Sequence, residues 1–339
     1  MVFVTGGTGL LGTHVLLELL SRGKDVRALK RSSSDLEQVQ SVFKFYLKDR
    51  ADEEFKKISW VEGDLMDITT LQEGIQGCEE VYHCAALVSF KKRDFQKMWQ
   101  INKIGTANVV NVCLGENVRH LCYISSTAAI GKDPHAEFQT EGHKWKKEKK
   151  TSNYSITKYS AEMEVWRGIE EGLKAVILNP CVILGPGNWN ESSISIFKVV
   201  KKGLKFYTPG MNAFVDARDV ATIAAELTER GITGERYLIV AENKYFKEVF
   251  EIIASAFGVK APSIEVKPWM ASLAWRIEGI LRVLFGRKQN ITKETANSAM
   301  SITKFSNEKI LDELNFQFIP IKDAVDNAVR YFESTYMKN

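Results

Sequence analysis

Cysteine is scarce in this sequence and never clustered. The five residues, Cys78, Cys84, Cys113, Cys122 and Cys181, form no C-x-x-C pair and no ligand-like spacing. Lying mostly in apolar runs, they read as small core residues, which excludes a disulfide scaffold and predicts no metal centre. A secretory leader is also missing, because Met1 to Thr5 run directly into an apolar strand pattern, and the expected location is the cytoplasm. No uncharged apolar run is long enough to span a bilayer. The nearest candidate, 269–285, is broken by Arg276, Glu278 and Arg282, so no integral membrane segment is expected. Nor does one sign of charge dominate: 46 Lys and Arg against 42 Asp and Glu leave a net charge of +4. The one visible basic cluster, Lys144, Lys146, Lys147, Lys149 and Lys150 around Trp145, reads as a solvated loop. No nucleic-acid motif accompanies it, and no nucleic-acid partner is expected.

What remains is a chain of 339 residues, 45% of them apolar, long enough for one large domain carrying a smaller one. Short apolar runs near 2–5, 25–29, 58–62, 80–84, 119–125 and 174–179 alternate with helical patterns. This predicts an α/β Rossmann fold, a doubly wound parallel sheet with a smaller C-terminal substrate-binding domain. The Rossmann portion is expected over 1–184, resuming over about 214–241, where Val220, Ile223 and Leu227 recur at helical spacing and 237–240 look like a strand. Pro186, Gly187, Pro209 and Gly210 break the pattern between, so 185–213 and 242–339 are assigned mainly to the substrate side. The connection 31–57 is long enough to hold an extra helix, and Gly23 sits where a helix running over 10–21 would need a left-handed cap.

Thr5-Gly6-Gly7-Thr8-Gly9-Leu10-Leu11-Gly12 links the first strand to the first helix. Gly6 permits a tight turn, Gly9 a close approach to a pyrophosphate, and Gly12 close helix-to-strand packing, with the helix N-terminus facing the anion. Thr8, Leu10 and Leu11 are expected beside the same dinucleotide. NAD-selective sites place an acid about 20 residues further on, at the end of the second strand. Lys30 and Arg31 stand there instead, which suits a 2′-phosphate and favours NADP over NAD. Asp64 and Leu65 end the third strand, near the expected adenine, and Ala85-Ala86 end the fourth, near the nicotinamide ribose.

Tyr154 and Lys158 are four residues apart, hence on one helix face. A cation beside a phenol stabilises the phenolate and brings the pair into the range of proton transfer. Ser125, Ser126 and Thr127 emerge at the carboxyl edge of the predicted sheet, where a hydroxyl can support a developing oxyanion.

On these residues the chain resembles the extended short-chain dehydrogenase/reductase family over nearly its whole length. Other matching features are His83-Cys84-Ala85-Ala86, Asn102 with Gly105-Thr106, and Asn179-Pro180 before Gly185-Pro186. The segments 178–180, 214–221 and 305–309 look most like the branch of dihydroflavonol reductases and hydroxysteroid dehydrogenases. The resemblance implies a seven-stranded sheet, with Tyr154 moving the proton while Lys158 holds the ribose and lowers the Tyr154 pKa. Counting back five from Gly131, it puts the catalytic serine at Ser126, with Ser125 and Thr127 as alternatives. It also implies cofactor contacts at Ser125, Asn102, Pro180 and Val182, and a homodimer. Asn102 reads equally well as a structural residue.

Three functions fit such a chain: a reductase, a nucleotide-sugar epimerase or dehydratase, and a regulator that binds dinucleotide without turnover. Retention of Tyr154, Lys158 and Ser126 speaks against the regulator. No carboxylate follows Ser126, which speaks against dehydration. Epimerases of the family tend to carry arginines to hold the diphosphate where this chain has Asn179 and Asn212-Ala213. A largely apolar alcohol, ketone or aldehyde is therefore the expected substrate, with Trp189, Phe197, Phe206, Trp269 and Trp275 as candidate walls. The stretch 269–285 reads as a core-facing amphipathic helix, with a lid or membrane-surface contact as the sharper alternative.

Overall fold

Val2–Thr5 form β1, buried along its whole length, as an apolar run covered on both faces requires. In the computed structural model, which describes residues 1–148, 151–190, 192–267 and 298–336, β1 pairs in parallel with β2 (Val26–Lys30) and β4 (Glu80–His83). With β3 (Ser59–Glu62), β5 (His120–Ile124), β6 (Ala175–Pro180) and β10 (Glu235–Ile239) they make one seven-stranded parallel sheet in the order β10-β6-β5-β4-β1-β2-β3.

The two-residue period of a strand divides the core into two layers. Val2 and Val4 face α1 (Leu10–Ser21), α2 (Leu36–Leu47), α9 (Ala217–Glu229) and α11 (Glu308–Leu314). Phe3 faces α4 (Ile68–Ile75), α6 (Gly105–Gly115) and α7 (Asn153–Glu170). The extra helix expected in 31–57 is present as α2, and α3 (Ala51–Lys56) follows it. Gly23 has φ +71°, as its capping position requires. The strand expected over 25–29 lies one residue later, because the parallel ladder sets Val2 opposite Val26.

A second sheet has the order β11-β9-β7, from β7 (Val182–Leu184), β9 (Met211–Asp216) and β11 (Glu242–Tyr245). Beside it lie α8 (Ser195–Lys201), α10 (Phe246–Ala256), α12 (Ile321–Tyr336) and the short pair β8 (Phe206–Tyr207) and β12 (Ile264–Glu265). The short helix α5 (Phe95–Met98) runs into a π-helical turn, Trp99–Ile104, ahead of α6. No helix among the described residues is long and apolar enough to cross a membrane. The stretch 269–285, with Trp269 and Trp275, lies outside the described residues, as do Lys149 and Lys150.

Candidate active site

The glycine loop closes on itself through backbone bonds from Gly9 N to Gly6 O (3.0 Å) and from Thr13 N to Gly9 O (2.9 Å). Gly6 sits at φ +71°, and a Cβ there would come within 2.6 Å of Ala85 N. A Cβ on Gly12 would collide with the Gly6 carbonyl. Gly9 differs: it is exposed, a Cβ there would meet only Gly6 O at 3.4 Å, and it caps α1 without a side-chain partner. The chain's own packing therefore does not account for a glycine at position 9, which stands exposed at the N-terminus of α1. That arrangement fits a pyrophosphate, and Thr8, Leu10 and Leu11 flank it.

At the far edge, Lys30 Nζ donates to Glu62 Oε2 (2.8 Å), which partly neutralises it. Arg31 is exposed, its backbone N–H donating to Ser34 Oγ (3.0 Å), and no ion pair among the described residues engages its guanidinium. Asp64 is exposed and accepts from Met66 N (2.9 Å), whereas Leu65 is buried. Ala85 and Ala86 leave the end of β4, Pro180 ends β6 and Val182 begins β7, all at the carboxyl edge of the parallel strands.

Tyr154 and Lys158 share one face of α7, whose first turn is capped by Ser152 Oγ accepting from Ser155 N (3.1 Å). Burial pushes the Tyr154 phenol above its usual range, and the nearby Ser126 side chain opposes that shift. Ser126 Oγ also accepts from Ala128 N at 3.2 Å. Ser125 is used elsewhere: its hydroxyl donates to Glu162 Oε2 at 2.6 Å. Of the candidate hydroxyls, Ser126 is the one brought to Tyr154.

Lys158 is 1% exposed and donates to Tyr123 Oη and Ile124 O, both at 2.9 Å. Burial pushes its ammonium down to about 7, with Glu162 and Cys84 opposing the shift. Next to it, His83 Nδ1 lies 2.6 Å from Thr5 Oγ1 and Nε2 lies 2.9 Å from Thr106 Oγ1. Burial and the Lys158 charge take His83 down to about 3, so this imidazole is a neutral structural bridge between β1 and α6.

Asn102, in the π-helical turn, spends its amide on the chain itself. It donates to Leu87 O (3.0 Å) and Thr157 Oγ1 (3.1 Å) and accepts from Leu87 N (2.7 Å). It thereby ties the loop after β4 to α7, one residue from Lys158. That loop brings Phe90 edge-on to Tyr154, with ring centroids 5.9 Å apart.

Several of these groups escaped the sequence reading. Phe90 has no signal of its own, because loop aromatics carry no periodicity. Glu162 had one: it follows Lys158 at the same spacing at which Lys158 follows Tyr154. Among the expected apolar walls, Phe197 is fully buried against Phe332 (5.2 Å) and is a core residue. Trp189 stacks on Tyr336 at 4.9 Å and is half-buried, and of the three walls among the described residues only Phe206 is exposed. No group of three or more His, Cys, Asp or Glu among the described residues could hold a metal ion.

The model of the NAD dependent epimerase/dehydratase family matches residues 2–239. The chain belongs to this family. It is thus a member of the extended short-chain dehydrogenase/reductase superfamily, nicotinamide-dependent enzymes that act at CH–OH groups, and its curated relatives include several reductases. A Synechocystis sp. protein provisionally named dihydroflavonol 4-reductase is 30% identical over 98% of this chain and 94% of its own length. Cinnamoyl-CoA reductase 1 of Petunia hybrida is 28% identical over 97% of this chain and 91% of its own. A solved structure of a nucleoside-diphosphate-sugar epimerase from Pseudomonas aeruginosa superposes with a TM-score of 0.78. It is 21% identical and covers 100% of this chain and 99% of its own, so this likeness concerns the fold alone.

Proposed function

We propose that this enzyme is an NADP(H)-dependent oxidoreductase interconverting an alcohol and a ketone or aldehyde on a largely apolar small molecule. The observation that carries the reading is that Tyr154 and Lys158 share one face of α7 against the carboxyl end of β5, where Lys158 reaches Tyr123 and Ile124 and Ser126 adjoins Tyr154. The dinucleotide, when bound, supplies or accepts the hydride. Tyr154 gives its hydroxyl proton to the substrate oxygen in the reduction and takes it back in the oxidation. Ser126 orients that oxygen, and Lys158 holds the ribose and keeps the phenol within reach of ionisation. Phe90 supplies an apolar wall beside Tyr154. In this reading residues 1–184 and 214–241 serve the dinucleotide, 185–213 and 242–339 mainly the substrate, in a cytoplasmic homodimer.

The preference for NADP rests on Arg31, the cation just beyond β2 that no carboxylate among the described residues pairs with. Arg31→Asp is expected to weaken NADPH binding by about tenfold or more and to shift preference toward NADH. Fluorescence titration of both dinucleotides measures this, and equal affinities in the unaltered protein would refute the preference.

The nucleotide-sugar epimerase reading draws on the breadth of the family and on fold neighbours of low sequence identity. Against it, Asn179 is fully buried and committed to Ser126 O (3.0 Å) and Glu162 (2.8 Å). The Arg218 guanidinium is committed to Asp216 through Nε (3.0 Å) and Nη2 (2.7 Å). Neither is offered to a diphosphate. A screen with NADPH of aromatic, steroid-like and aliphatic carbonyl compounds against nucleotide sugars tests the choice. Turnover of carbonyl compounds is expected; saturable stabilisation by a UDP-, GDP- or dTDP-sugar, with no carbonyl response, would reverse it.

A further inference from the structure

We propose that Glu162 is a positioning residue for the catalytic pair, its buried carboxylate clamping the helix that bears Tyr154 and Lys158 to the hydroxyl-bearing strand end and to the edge strand β10. The inference rests on the assignment of Lys158 made above.

Glu162 is 0% exposed and lies one helical turn beyond Lys158. A lone carboxylate at such a depth would be costly, and here both its oxygens are engaged. Oε2 accepts from Ser125 Oγ (2.6 Å) and Asn179 Nδ2 (2.8 Å), and Oε1 from Arg236 Nη1 (2.9 Å) and Trp166 Nε1 (3.4 Å). Ser125 adjoins the serine that meets Tyr154, and Asn179 Nδ2 also donates to Ser126 O, so the carboxylate sets the strand end on which Ser126 rides.

The clamp extends further. Arg236, on β10, donates through Nε (3.1 Å) and Nη2 to the Glu141 carbonyl, and Glu141 Oε1 accepts from Leu238 N (2.7 Å). The segment that leads from Ser126 to Tyr154 is thus fastened at its middle to the edge of the sheet. Four elements separated in sequence meet at one carboxylate, and two of them carry the reacting hydroxyls.

The second consequence is electrostatic. Side chains four apart on a helix are neighbours, so the Glu162 anion faces the Lys158 ammonium and favours its charged form. The other titratable groups around Lys158 are Cys84 and His83 at the end of β4, Tyr123 on β5 and Tyr154 on α7 itself. Burial holds His83 neutral and keeps the Cys84 thiol and the Tyr123 phenol protonated, which leaves Glu162 as the carboxylate on this side. Arg236 moderates it from the opposite side.

The test is the pH dependence of NADPH affinity, read by fluorescence titration from pH 6 to 10, which needs no substrate. Affinity is expected to fall on the alkaline side as Lys158 loses its proton. Glu162→Gln keeps the shape and removes the charge, and should move this limb toward acid by about one pH unit. Arg236→Gln leaves the carboxylate less compensated and should move it toward alkali. A clamp of purely structural value would alter melting temperature and move neither limb, and unmoved limbs in both variants overturn the proposal. Should Glu162→Gln fail to fold, the Arg236→Gln limb decides alone. Lys158→Met separates the two readings: a limb that persists in it overturns the assignment of Lys158, whatever Glu162 does.

Discussion

Tyr154→Phe is expected to lower turnover by about 10²–10⁴-fold while dinucleotide affinity stays within about twofold of the original. The substitution deletes one oxygen and keeps the ring, so the edge-on contact with Phe90 at 5.9 Å persists and the loop after β4 keeps its support. What disappears is the hydroxyl that Ser126 meets. Burial already raises the Tyr154 pKa, so in the cofactor-free chain it is a protonated phenol at neutral pH, the form a carbonyl reduction requires. The measurement is single-turnover oxidation of NADPH with a carbonyl substrate from the screen, beside a binding titration. Turnover like that of the parent in the phenylalanine variant would remove Tyr154 from the chemistry.

Lys158→Met is expected to do something less intuitive, abolishing function while making the cofactor-free protein more stable near neutral pH. The ordinary lysine value is 10.5, and burial brings this ammonium down to about 7. Between those values the unfolded chain binds a proton that the folded chain lacks, so stability rises with pH across the window. The destabilisation is therefore largest below pH 7 and fades as pH approaches 10.5. At pH 7 it amounts to on the order of 4 kcal/mol, against about 1–2 kcal/mol for leaving Ile124 O and Tyr123 Oη without their donor. A net rise in melting temperature of roughly 2–5 °C follows at pH 7, shrinking toward pH 10. Melting curves at pH 6, 7, 8.5 and 10 give the slope, and a variant less stable than the parent at every pH would contradict it. Turnover should fall by at least about 10²-fold, and NADPH affinity with it. An uncomfortable lysine kept at this depth fits the general trade of stability for function at reacting sites.

How much of this could be read from the chain depends on the range of the interactions concerned. The glycine loop and the Tyr154/Lys158 pair are local patterns, set by one tight turn and one helical turn, and the structure brings their members together as spacing suggests. The parallel sheet was legible from the alternation of apolar runs with helical stretches. Ser125, Ser126 and Thr127 could not be ranked by residue type, because all three are hydroxyls on one strand end. Their difference arises from Glu162, 37 residues away from Ser125, which takes one hydroxyl and leaves its neighbour to Tyr154. The Glu162–Arg236 pair, 74 residues apart, has no local trace at all. Phe197 was misplaced for a related reason: an apolar residue looks the same from the sequence whether it faces a cleft or a core.

The seven-stranded order places β1, which precedes the other six strands along the chain, at an inner position between β2 and β4, and sets β10 at the far edge. During synthesis the glycine loop cannot acquire its final walls until β4 has emerged, because Ala85 packs on Gly6 and His83 reaches Thr5 across 78 residues. The Glu162 carboxylate waits longer still, for Arg236. Until then the growing polypeptide carries a carboxylate destined for burial without its cation and a β6 edge open to other chains. A stalled nascent chain exposed as far as about residue 230 should accordingly be protease-sensitive around α7, and emergence of about ten more residues from the exit tunnel, which frees β10, should protect it.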